Sequence, residues 1–215
     1  MTARLTDLAT FAVLAFVGFR LIGGVRASLA SRGRAQVVSI VSGISWRHIW
    51  PVPIVLTLVI SVAALLMQVP GLDWGWWSAL GGQGNPVFGS NEATSGTVWS
   101  WIIPAAFMLL LLPALPLFAY AEEMMFRRGA EHWSANKRAA KVVEFGLVHA
   151  LIGIPIGTAL ALGVGGAYFM LVYLRAYRKL PVAAMATLES TRAHAVYNAV
   201  IVSVVGLVIV LAAMQ

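Results

Sequence analysis

Long apolar runs alternate along this chain with short segments that hold nearly all of its positive charge. Runs of mostly apolar residues lie near 8–25, 50–69, 99–121 and 196–214. Each suits a helix crossing the ~30 Å hydrocarbon core of a bilayer, which takes about 20 residues. A further apolar stretch, 142–174, is too long for one crossing and too short for two generous ones. Gly153, Pro155, Gly157 and the Gly163/Gly165/Gly166 cluster permit a turn inside it, so it reads as two short helices. The expectation is an all-α, polytopic transmembrane helix bundle of about six spans.

The charges test that count. Arg26, Arg32, Arg34 and Arg47 follow the first span; Arg127, Arg128, Lys137, Arg138 and Lys141 follow the third; Arg175, Arg178, Lys179 and Arg192 follow the fifth. The alternate segments, 70–98, the turn near Pro155 and the terminal Gln215, carry none, and only Arg4 and Arg20 fall outside the pattern. Lysine and arginine mark cytoplasmic segments, so the basic segments read as cytoplasmic and both termini as outside.

Composition agrees: 60% of the residues are hydrophobic and 11% charged, where soluble domains carry about 25% charged residues. There is no cysteine, which excludes disulfides, thiolate metal sites and a cysteine nucleophile. The net charge of +7 sits at the ends of apolar runs and forms no basic tract, so nucleic acid is not an expected partner; the lipid bilayer is. The first run contains Arg20 and lacks a small-residue cleavage pattern, and reads as a retained span. Segment 36–50 suits the interface as a short helix. Segment 180–188 reads either as a loop or as a short helix leading into the last span. Segment 70–98 reads as an external loop, with Trp74, Trp76, Trp77, Trp99 and Trp101 as an interfacial belt. The richness in Ala, Gly and Val and the preference for Arg over Lys point to a bacterial cytoplasmic membrane.

Three polar sets interrupt the apolar helices. In the first, Glu122 and Glu123 precede Arg127 and Arg128. Glu123 and Arg127 are four apart and share a helix face, whereas Glu122 diverges from Arg127 by roughly 140°. One acid is tied down and Glu122 is left free. The second set is Phe145 and His149, four apart, with the histidine about two turns into the fourth span. The third is His194 and Asn198, again four apart and so converging on one point. All three fall near the cytoplasmic ends of their helices and suit one cavity. His48 and His132 read as solvated or interfacial, Glu144 as a favourable first-turn acid, and the methionines as packing residues.

These residue types suffice for peptide hydrolysis. Glu122 with His149 can take a proton from water, and His194 with Asn198 can donate to the developing oxyanion. A divalent metal such as Zn²⁺, held by Glu122, His149 and His194, is the alternative activator.

The ordered trio Glu122-Glu123-x-x-x-Arg127, Phe145-x-x-x-His149 and His194-x-x-x-Asn198 resembles the CPBP family of intramembrane proteases. These are the type II CAAX prenyl endopeptidases and their bacterial relatives linked to bacteriocin processing and self-immunity. The resemblance covers roughly 99–214. It divides the chain into a variable two-span region with its loop, 1–98, and a protease core, 99–215. It implies Glu122 as general base with His149, and His194 and Asn198 as the oxyanion hole. Glu123 and Arg127 become structural, with Phe145 in support. It leaves open whether the mechanism uses a metal or the glutamate alone. The polar run Glu189-Ser190-Thr191-Arg192 departs from the apolar approach usual in that family. The expected substrate is a membrane protein or peptide. The competing expectations are a catalytically silent immunity or scaffold protein and a small proton or metal transporter.

Overall fold

The computed structural model describes residues 2–79, 87 and 95–213. Among them there are nine α-helices and no strand: α1 (Thr2–Leu29), α2 (Ser31–Val41), α3 (Trp46–Ile49), α4 (Val52–Leu66), α5 (Trp76–Ala79), α6 (Trp99–Phe126), α7 (Ala135–Leu147), α8 (Ile156–Lys179) and α9 (Ala183–Ala213). The expected all-α class holds. Most of the segment 80–94 of the expected external loop, and the last two residues, lie outside the described residues.

Among the described residues four stretches are long and apolar enough to cross a membrane: Asp7–Leu29, Trp46–Leu66, Trp99–His132 and Ile156–Lys179. They keep large apolar side chains pointing outward, among them Phe11, Phe19, Ile60, Leu109 and Leu171. A helix apolar on all sides needs either a protein interior or lipid around it. α6 tolerates three internal prolines, Pro104, Pro113 and Pro116, as membrane helices do where neighbours satisfy the freed carbonyls.

The expected fourth span is shorter than a crossing. α7 has 13 residues, or about 20 Å of helix, and ends in a 3₁₀ turn, Val148–Ile152. The turn inside 142–174 falls at residues 153–155, where Gly153 takes φ 91°, a left-handed conformation that glycine adopts at no steric cost. The 163–166 glycines are not at a turn. They lie within α8 and let α7 approach it: a Cβ on Gly146 would collide with the Ala159 carbonyl oxygen, and one on Gly166 would come within 2.7 Å of the Phe145 ring. Small residues at such contacts are the usual means of close helix approach in membranes.

Other local readings are revised. Segment 180–188 is helical from Ala183, so α9 runs as one helix of 31 residues. Glu144 is in the last turn of α7, not the first, and pairs with Lys141 at 2.7 Å. Trp77 leaves the interfacial belt: it is 1% exposed. The described start of the 70–98 segment folds onto the 153–155 break. Gly157 N–H donates to the Leu72 carbonyl at 2.7 Å and Ile156 N–H to that of Trp74 at 3.0 Å. The Trp76 indole N–H reaches the Ala150 carbonyl at 3.1 Å. The two segments expected outside thus share one end of the bundle.

α6, α8 and α9 pack around one core with α4 against α8 and α1 against α6. Phe126, Phe145, Phe169, Ala193 and Tyr197 fill its centre with the valines of α4. Gly146→Ala should lower stability by roughly 1–3 kcal/mol, because backbone must move to admit the methyl. Gly23→Ala, with open space around its position, should be neutral or slightly stabilising. Thermal unfolding of the two variants in one detergent checks the contrast.

Candidate functional site

The three polar sets meet at the junction of α6, α7, α8 and α9. Glu123, on the last turn of α6, is fully buried. Its i+4 neighbour Arg127 lies 3.1 Å from Oε1 by Nη1, so the expected pair forms. Two further partners come from α9: His194 Nδ1 stands 2.9 Å from Oε1, and the Ser190 hydroxyl donates to Oε2. Ser190 also sits 2.9 Å from the Phe169 carbonyl of α8. One carboxylate therefore ties α6 to α9 beside α8.

Aromatic rings seal this charge cluster. The Arg127 guanidinium lies 4.0 Å from the Phe145 ring centre and directs Nη2 at the Gly166 carbonyl, 3.4 Å away. His194 stacks on Phe169 with centroids 4.2 Å apart and meets the edge of Phe145 at 5.6 Å. Phe145 also meets His149, at 5.1 Å. Cation–π contact of a desolvated arginine contributes about 2 kcal/mol.

The hydrogen-bond partners fix the two imidazoles. A carbonyl or carboxylate can only accept, so a proton sits on Nδ1 of His149, 2.8 Å from the Phe145 carbonyl, and on Nδ1 of His194 facing Glu123. In the neutral tautomers each ring then presents Nε2 as a lone pair. For His194 that nitrogen lies 3.6 Å from Glu122 Oε2, and Oε2 is buried without a hydrogen-bond partner. Glu122 is the acid that the sequence leaves free.

The remaining predicted residues stand further out. Asn198 is half-buried, one turn along α9 from His194, and no contact joins it to Glu122. His149 lies in the 3₁₀ turn beyond α7, at the end away from the basic residues of that helix. It joins the cluster through Phe145 and not by touching Glu122. Among the described residues no three His, Asp or Glu side chains form a group able to hold a metal ion.

Compared with known proteins, the chain matches no family model, no curated protein and no solved structure.

The polar run 189–192 has a structural reason. Glu189 accepts from Arg192 Nη1 at 2.6 Å and pairs with Arg47 Nη2 at 2.9 Å. His48 Nε2 reaches it at 3.2 Å. Arg192 also donates to the carbonyls of Ser39 at 2.9 Å and Ile40 at 3.3 Å, over Gly43, where any side chain would strike the guanidinium. His48 is thus buried, 2% exposed, and not solvated as its neighbours suggest; its Nδ1 accepts from Ser45 N–H at 3.0 Å. His132 is 78% exposed, as expected.

Sequence reasoning missed Ser190, Phe169, Glu189 and Tyr197. A signal existed for the first: Ser190, His194 and Asn198 recur every four residues. Tyr197, 3% exposed, buries its hydroxyl without a partner.

The hydrogen bond from His48, with those of Arg192 and the charge of Arg47, holds Glu189 at about 2, below the ordinary 4.5. A depressed carboxyl stabilises the native state above its unfolded pKa and loses that contribution as pH falls through the native one. Amide protection at residues 39–48, taken relative to the intrinsic exchange rate at each pH, should therefore fall between pH 4.5 and about 2. Glu189→Gln should speed exchange there at neutral pH and flatten its acid dependence. Arg127→Met, which strands the buried carboxylate, should cost about 3–5 kcal/mol in thermal or denaturant unfolding.

Proposed function

We propose that this chain is an intramembrane endopeptidase of the CPBP type, hydrolysing a peptide bond of a membrane protein or peptide at the cytoplasmic side of the bilayer. The observation that carries the proposal is Glu122 Oε2: buried, without a hydrogen-bond partner, and 3.6 Å from an imidazole nitrogen. A buried acceptor without a partner costs about 1–3 kcal/mol, and a water or substrate group placed there removes that cost. The same side chain is 30% exposed, so one oxygen is sequestered while the residue keeps access to a reactant.

In this reading Glu122 takes a proton from the water as its oxygen attacks the scissile carbonyl carbon. His149, with Nε2 unprotonated, assists. The carbonyl π bond opens to an oxyanion held by His194 Nε2–H and the Asn198 amide N–H. Because Nδ1–H of His194 faces Glu123, donation from Nε2 calls for the imidazolium form, between two carboxylates. Collapse breaks the C–N bond, and the proton held by Glu122 passes to the leaving nitrogen. Glu123 and Arg127 orient His194 and contact no substrate.

Glu122→Gln, His149→Ala and His194→Ala should each abolish cleavage of a fluorogenic peptide library by protein in liposomes, with insertion intact. Asn198→Ala should lower kcat by about 10²–10³-fold, the usual effect of losing one oxyanion donor. Full activity in Glu122→Gln would sink the mechanism, and loss of activity in chelator would replace it with a metal-assisted one. A silent scaffold would show no cleavage with the native chain either, and a phenotype untouched by all four substitutions.

A further inference from the structure

The segment joining α1 to α4 carries an independent feature. One stretch long enough to cross a bilayer, Asp7–Leu29, lies in α1, and the next, Trp46–Leu66, begins with α3 and continues as α4, which sets α2 between the two and α3 at the headgroup end of the second. It folds as an elbow of two short helices, α2 and α3. On α2, Arg34, Val38 and Val41 recur at i, i+4 and i+7 and share a face, all exposed, while Ile40 turns inward with no exposure. On α3, Trp46 is 71% and Trp50, just beyond its end, 52% exposed, beside Arg47, itself 64% exposed. Arginine stems lying along apolar surface with the guanidinium at headgroup level are the pattern of a helix seated in the interface.

Charge selects the lipid. Between Arg26 and Trp50 the chain has Arg26, Arg32, Arg34 and Arg47 and no Asp or Glu. Among the described residues the acid paired with the elbow is Glu189 of α9, on its inner side, where Arg192 and His48 already hold it. The outward face is therefore positive and apolar, complementary to a phosphate layer above acyl chains.

We propose that the α2–α3 elbow binds anionic phospholipid headgroups, with Arg34 and Arg47 on the phosphates and Val38, Val41, Trp46 and Trp50 in the layer beneath. Arg47 then links lipid to Glu189, one residue from the Ser190 that holds Glu123. The lipid preference itself is independent of the proteolytic reading and is measured without any substrate.

The test uses the full chain in phosphatidylcholine liposomes doped with brominated phosphatidylglycerol or brominated phosphatidylcholine. The emission of Trp46 and Trp50 is taken as the difference between the native chain and W46F/W50F. Bromine on the glycerol lipid should quench that component more strongly at equal mole fraction. Arg34→Gln should reduce the relative binding constant roughly fivefold, and Arg34→Lys should retain it, because each surface cation contributes a similar increment. Native mass spectrometry of the unaltered chain is the second measurement, and needs no variant to fold. It should show phosphatidylglycerol retained over phosphatidylcholine. Equal quenching by the two lipids, a preference unchanged in Arg34→Gln, or equal retention would overturn the proposal. Equal retention with a dimer would assign the face to a second copy of the chain.

Discussion

A carboxylate with no access to water is stable in an apolar bundle only if enough charge and hydrogen-bond donors surround it. Glu123 meets that condition with groups from two helices: Arg127 one turn ahead on its own helix, and His194 and Ser190 across on α9. Removing Arg127 leaves the carboxylate uncompensated, and removing His194 or Ser190 leaves it short of a hydrogen bond, which is why breaking a buried pair costs far more than forming it contributes. The close packing of α6 with α9, the register between them and the direction of the His194 ring all follow from satisfying this one group. Phe145 and Phe169 keep solvent from it, and the glycines of α7 and α8 let those rings come close enough to do so.

The same arrangement divides the labour of two adjacent acids. Glu123 is saturated and cannot exchange protons with a reactant. Glu122, rotated by about 100° on the helix, has a buried oxygen without a donor and a side chain still partly exposed. A pair of identical residues thus yields one carboxylate saturated with partners and one with an oxygen left open, through position alone. The α2–α3 elbow adds a further tie, since Glu189 and Arg192 fasten it to the turn of α9 that carries Ser190. The N-terminal region, which bears no motif, is thereby joined rigidly to the helix that does.

What the sequence reveals here depends on the range of the interaction. Glu123 and Arg127 lie four residues apart, and helix geometry alone pairs them and frees Glu122. The link from Glu123 to His194 spans 71 residues, and no local period encodes it. The break at residues 153–155 was legible because glycine and proline punctuate backbone, but the same logic misplaced the 163–166 glycines, which serve close helix contact. A missing side chain suits a turn and a tight interface equally, and only the neighbour decides. His48 was misread for a related reason: its sequence neighbours are polar, while its partner, Glu189, is 141 residues away. Length set the other limit. The apolar stretch holding α7 implied a crossing, and the helix ends after 13 residues because the chain turns there onto the loop at 72–76.

That short helix has a consequence for how the bundle is held together. A segment of about 20 Å bearing Lys137, Arg138 and Lys141 is a poor candidate for partitioning into lipid unaided. α8, with 24 residues and the apolar character of a full crossing, is not so limited. The two pack along their glycines and are joined by the tight turn at Gly153. α7 is thus secured by its packing on α8 and not by its own length. His149, carried at the tip of that hairpin, is set against Phe145 by its own turn of backbone, and the packing of α7 on α8 fixes where the pair sits.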